Sequence, residues 1–191
     1  MSVLMRATEV IKRPVVTLAG EAVAQVKDIV YEGDGGHVGG FTLAGRGLFA
    51  GPLKVALAWE SVSALGNDAL MIRDEGVFEA PEQVVSRSTA RRGDVLGSRV
   101  MTDDGTELGT ITDVILGVTD VADVIGYEID SSPALGKDGR RVLIPLPDTL
   151  SISGEALMLP SAAKEFVSDD LAGFGAAVQE FRTRLAGGGA T

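Results

Sequence analysis

No cysteine occurs in this chain, which excludes disulfides, thiolate zinc sites and cysteine nucleophiles and fits a reducing compartment. Histidine occurs once, as His37, so no pair of imidazoles can hold a metal or share a proton. Aromatic residues make up only 5 % of the chain and tryptophan occurs once, as Trp59. No run approaches the roughly 20 apolar residues that span a bilayer, and Met1–Glu9 has no apolar core of the secretory kind. A soluble, cytoplasmic protein with no membrane span is expected. Positive charge is also short: 17 basic against 27 acidic residues, net −10. By segment, residues 1–83 carry −4, residues 84–92 carry +3 and residues 93–191 carry −9. Such a surface repels phosphate backbones, so direct nucleic-acid binding is not expected and a basic protein partner is.

What the chain has in quantity is glycine, 25 residues in all, and a sequence that occurs twice. The segment Gly20–Val30, with Val23, Val26 and Asp28, aligns with Gly105–Ile115, with Leu108, Ile111 and Asp113. Val38–Leu43 then aligns with Val124–Ile129, Lys54–Leu57 with Arg141–Ile144, and Asn67–Ile72 with Gly154–Leu159. Four blocks in one order, at an offset drifting from 85 to 87, mean a tandem duplication of one small domain. The expected organisation is a first copy over residues 1–80 and a linker over 81–92 containing Arg87, Arg91 and Arg92. A second copy over 93–160 and a C-terminal segment over 161–191 follow. Domains this small bury limited cores.

Each copy reads as short β-strands. Leu108–Ile115 alternates at a period near two, with Ile111 and Ile115 on one face. Turn chemistry separates the runs, as in Glu32–Gly36, Asp103-Asp104-Gly105 and Lys137-Asp138-Gly139. About five short strands per copy predict a small all-β barrel, since closure removes sheet edges. Two such barrels in tandem are the expected fold. After Leu159 the pattern changes. Val167, Leu171, Phe174, Val178, Phe181 and Leu185 recur at alternating four and three, one apolar stripe of an α-helix. Ser168 stands where a cap belongs, and Arg182 and Arg184 suit the C-terminal end of the dipole. The stripe either docks on the chain's own β domains, or pairs with a second chain or a partner groove.

Val95-Leu96-Gly97-Ser98-Arg99-Val100, then Asp104-Gly105-Thr106-Glu107-Leu108-Gly109-Thr110-Ile111-Thr112-Asp113-Val114, resembles the opening of a PRC-barrel domain. Val124–Ile129 and Arg141–Pro145 continue the likeness, although Leu146 and Pro147 replace the aromatic-acidic pair that copy one keeps as Trp59-Glu60. The resemblance covers residues 93–160 directly and residues 9–76 through the repeat. It implies small β-barrels of the kind found in the photosynthetic reaction-centre H subunit and the ribosome maturation factor RimM. It also implies docking modules rather than enzymes.

The chemistry-bearing residues give little else. His37, flanked by glycine, is expected in a solvated turn, and Gly33–Gly40 lacks the lysine of a phosphate cradle. Asp103, Asp104 and Glu107 lack calcium-loop spacing and suit a hairpin turn. Asp28 and Asp113 occupy equivalent positions, each expected to bond nearby backbone amides. Trp59 is expected to be partly buried at one end of its domain. No catalytic, cofactor or metal site is expected. The function expected is a non-enzymatic protein-interaction scaffold, with Val167, Leu171, Phe174, Val178, Phe181 and Leu185 as the candidate docking helix and homo-oligomerisation left open. The alternative is a ribosome-assembly or RNA-linked accessory factor acting through a basic protein partner.

Overall fold

The computed structural model describes residues 2–32, 36–86, 95–136, 139–148, 152–153 and 156–188, with only the backbone described at 152–153. The chain forms two compact units. The first element is strand β1 (Val3–Arg6). Then come a short helix α1 (Ala7–Val10) and strands β2 (Pro14–Thr17), β3 (Ala22–Tyr31), β4 (Val38–Ala44), β5 (Pro52–Ala58), β6 (Val62–Leu65) and β7 (Leu70–Ile72). Helix α2 (Pro81–Ser86) ends the first copy. The second copy contributes β8 (Arg99–Thr102), β9 (Glu107–Val118), β10 (Ala122–Ser131), β11 (Arg141–Pro145), β12 (Ile152–Ser153) and β13 (Ala156–Leu159). Helix α3 (Leu171–Gly187) follows.

One unit comprises Ala7–Arg92 together with Val118–Asp123, and its sheet runs β5-β4-β3-β2-β7-β6. The other comprises Met1–Arg6, Gly93–Gly117 and Val124–Thr191, and its sheet runs β11-β10-β9-β8-β13-β12, with β1 paired to β9. The duplication is exact at the level of topology: β2 lies parallel to β7, and β8 lies parallel to β13. Every other strand pair with a described register is antiparallel. The hairpin expected around Asp103-Asp104-Gly105 joins β8 to β9 and is closed by Gly105 N–H donating to Thr102 O at 2.9 Å.

The expectation of closed barrels is corrected. Among the described residues, no ladder joins β5 to β6 or β11 to β12, so each sheet is open. The edge is protected by other means. In the first copy, Ala56 on β5 forms a bridge with Glu79. In the second, Leu143 on β11 forms one with Ser168. A helix follows each bridge and covers the strands beside it. The stretch read as a linker therefore opens with α2, whose Val84 is buried against Val30, Ala56 and Ala58. Residues 87–92, with their three arginines, lie outside the described residues, as do Gly33–Gly35 and the Lys137-Asp138 part of a turn.

The two helices seat in the same way. A Cβ at Gly40 would lie 2.7 Å from Val84 Cγ1 and 2.3 Å from Leu57 O. A Cβ at Gly126, the equivalent position, would lie 2.4 Å from Phe174 Cζ and 2.5 Å from Ile144 O. In both copies the strand omits a side chain so that a helix residue can lie directly on its backbone. Ile115, Ile125, Leu143, Phe174 and Val178 form the resulting cluster in the second copy, with Leu4 and Leu171 packed against it. Burial of both faces explains the unbroken apolar run Val114-Ile115-Leu116 in β9, where a half-exposed strand would alternate.

Candidate functional surfaces

The candidate helix residues divide into two groups. Phe174, Val178 and Phe181 are buried in the chain's own unit, while Leu171 and Leu185 are half-buried. Val167 is half-buried too, but precedes the helix. Ser168 does not cap α3: it lies three residues before the helix begins, and its N–H and C=O both bond to Leu143. The cap is Asp170, which accepts from Gly173 N–H at 3.2 Å. Phe181 packs on Phe166 with ring centroids 5.6 Å apart, and the Arg184 guanidinium lies 5.8 Å from the Phe166 centroid. Arg182 bonds Leu146 O and pairs with Asp148 at 3.0 Å. Burying three large side chains, at about 2 kcal/mol each, is what orders a helix whose first turns carry Gly173 and Gly175.

The polar residues singled out from sequence are held in structural contacts. Asp113 is buried and accepts from Val114 N–H at 2.8 Å, whereas its counterpart Asp28 is exposed. His37 lies within 2.5 Å of an Asp123 carboxylate oxygen through Nδ1 and is half-exposed. Sequence reading missed that partner because it lies 86 residues away. Trp59 is half-buried, tilts against Phe41 and donates Nε1–H to Asp120 O at 3.2 Å. Glu128 is buried, pairs with Arg6 at 2.7 Å and lies 3.3 Å from the Thr112 hydroxyl. Arg13 donates to the Gly66 and Glu9 carbonyls, and burial pushes its pKa down. Among the described residues no group of three or more histidine, aspartate or glutamate side chains is placed to hold a metal ion.

Asp103 and Asp104 occupy the corners of the β8–β9 turn. Asp103 accepts from Ser161 N–H at 2.9 Å, and Asp104 accepts from Lys164 Nζ at 2.8 Å and from the Thr102 hydroxyl. Those donors, Lys164 first and Thr102 next, hold the exposed Asp104 carboxyl well below the usual carboxylate range. A depressed pKa means stability that is present above the unfolded value of about 3.9 and lost as pH falls through the folded one. Asp104→Asn is therefore expected to melt below the parent at neutral pH. The gap between the two melting curves is expected to narrow only in strong acid, which thermal scans across pH would check.

Residues 3–77 and residues 89–165 each match the model of the PRC-barrel domain. The chain belongs to the PRC-barrel family. None of the curated proteins matches it. The two PRC copies can be compared position by position, and they differ at the turn before the third strand of the first copy and at the loop after the fourth. In the second copy the β8–β9 turn carries Asp103-Asp104. In the first, the equivalent β2–β3 turn carries Leu18-Ala19, with the same backbone bonds. Leu18 N–H donates to Ile72 O and Asp103 N–H to Leu159 O, both at 2.9 Å. Leu18 is 64 % exposed. After β4, Leu48 and Phe49 are 95 % and 97 % exposed, a pair the sequence reading did not single out. The second copy's corresponding loop instead holds a 3-10 turn, Pro133–Leu135, capped by Ser132 accepting from Ala134 N–H at 3.2 Å.

Proposed function

We propose that this protein is a non-enzymatic interaction module that uses its acidic second copy to hold a basic protein segment. Membership in the PRC-barrel family, twice over in one chain, is the observation that carries the reading. Charge supports it: residues 93–191 account for −9 of the net −10. Long-range attraction between an acidic face and a basic partner speeds encounter and is weakened by salt.

Affinity capture with the full chain tests this. The expected result is a basic protein retained in stoichiometric amount at low salt and released as ionic strength rises. Retention that ignores salt would remove the electrostatic part of the reading. Capture of ribosomal particles through a basic ribosomal protein would move the assignment to ribosome assembly. Turnover in a broad hydrolase and oxidoreductase screen that His37→Ala or Asp113→Asn abolished would overturn the non-enzymatic reading.

A further inference from the structure

Leu48 and Phe49 sit at the apex of a hydrogen-bonded loop. Ala50 N–H donates to Gly47 O at 3.2 Å, which makes Leu48 and Phe49 the two corner residues of a turn. Gly45 N–H donates to Gly51 O at 3.1 Å and closes the base. Turn corners favour proline, glycine, asparagine, aspartate and serine. Two large apolar side chains there break the local rule without gaining any burial. Departures of that kind mark functional positions.

A second turn repeats the pattern. Gly20 N–H donates to Thr17 O at 2.8 Å, placing Leu18 and Ala19 at the corners. Gln25 on β3 pairs with Ala44 on β4, and Arg46 Nη1 donates to Ala22 O at 3.1 Å. The turn before β3 and the loop after β4 therefore lie at one end of the sheet. The duplication supplies the control: the equivalent corners of the second copy are Asp103 and Asp104, so the fold does not require apolar residues there.

Charge indicates what covers the tip. Between Gly35 and Trp59 there is no aspartate or glutamate, in a chain with 27 of them. The charged residues flanking the tip are Arg46 and Lys54, both exposed. Arg73 and Asp74, directly after β7, pair with each other at 2.9 Å, and Glu21 and Glu75 are exposed acids next to these turns in sequence. A second copy of the chain is a poor occupant. Two or three side chains fall far short of the roughly 800 Å² per partner of a stable interface. The tip is convex, so a flat, deformable apolar medium with an anionic surface accepts it without a matching pocket.

We propose that the 45–51 loop is a membrane-surface anchor, in which Leu48 and Phe49 enter the interfacial layer of an anionic bilayer and Arg46 and Lys54 meet its headgroups. Leu18 adds apolar contact beside them. The contact is peripheral: no described helix is long and apolar enough to cross a membrane.

Co-sedimentation of the full chain with two kinds of vesicle tests it, one of phosphatidylcholine alone and one of an equimolar mixture with phosphatidylglycerol. The expected result is binding to the mixed vesicles that falls with salt. The double change Leu48→Ser/Phe49→Ser is expected to weaken it at least about tenfold with an unchanged melting temperature, because two large apolar side chains leave the lipid. Arg46→Gln/Lys54→Gln is expected to reduce binding to the mixed vesicles and remove its salt dependence. No binding to mixed vesicles, or binding that the serine variant retains, overturns the proposal. So does loss of a captured protein by the serine variant when the parent ignores both vesicles, because the tip would then be a protein-docking anchor.

Discussion

Phe174→Asp is expected to unfold the unit formed by residues 1–6, 93–117 and 124–191. Phe174 is fully buried, and its ring lies on the backbone of Gly126 among Ile115, Ile125 and Leu143. Removing such a ring costs about 3–5 kcal/mol. An ionised carboxylate in its place has no partner in that cluster, which raises the cost further. The total reaches the whole stability of a small domain, about 5 kcal/mol at the lower end. Phe174→Leu keeps an apolar occupant and is expected to cost about 1 kcal/mol. Calorimetry of both variants, with gel filtration, checks this. A folded Phe174→Asp protein of smaller size than the parent would mean instead that the stripe is an oligomer seam.

The second large effect is expected at a position where the two copies disagree. Gly109 aligns with Ala24, and a repeat-guided substitution would exchange them freely. The backbone at Gly109 has φ of 151°, and a Cβ there would lie 2.1 Å from Asp130 O. Gly109→Ala therefore forces strand β9 away from β10, at about 3 kcal/mol. That lowers the melting temperature of its unit by more than about 10 °C. Ala24→Gly removes one buried methyl and adds backbone freedom, for about 1–2 kcal/mol in the other unit. Thermal unfolding of the two variants should show different transitions moving by different amounts. Equal, small shifts would refute the steric argument.

The asymmetry between these variants shows what the sequence carried and what it did not. Repeat spacing located the strands because the same apolar residues, such as Val26 and Ile111, fill equivalent core positions. The stripe from Leu171 to Leu185 located α3 because three of its members are buried on one side. Barrel closure was expected from the number of short strands, from the need to remove sheet edges and from the PRC-barrel resemblance. The edges are covered instead by single bridges at Glu79 and Ser168, and a one-residue bridge leaves no periodicity to read. Helix α2 was hidden for a similar reason, since one buried residue, Val84, makes no stripe. Ser168 and Asp170 are both good caps by residue type. The start of the helix at Leu171 decides between them, since it is Asp170 that accepts from Gly173 N–H. Leu48 and Phe49 went unnoticed in the sequence because apolar residues are not expected at turn corners.

Strand β1 has a consequence for the order of events during synthesis. Val3–Arg6 leave the ribosome well before their partners, since they pair with β9 and Arg6 is tied to Glu128. The whole first copy must emerge before either partner exists. Contacts of that sequence separation close late and slow folding. Val3–Arg6 thus wait for their partner strand, and the first copy can assemble around its own β2–β7 ladder in the meantime. Strand β1 is, in kinetic terms, a late-joining part of the second copy's unit.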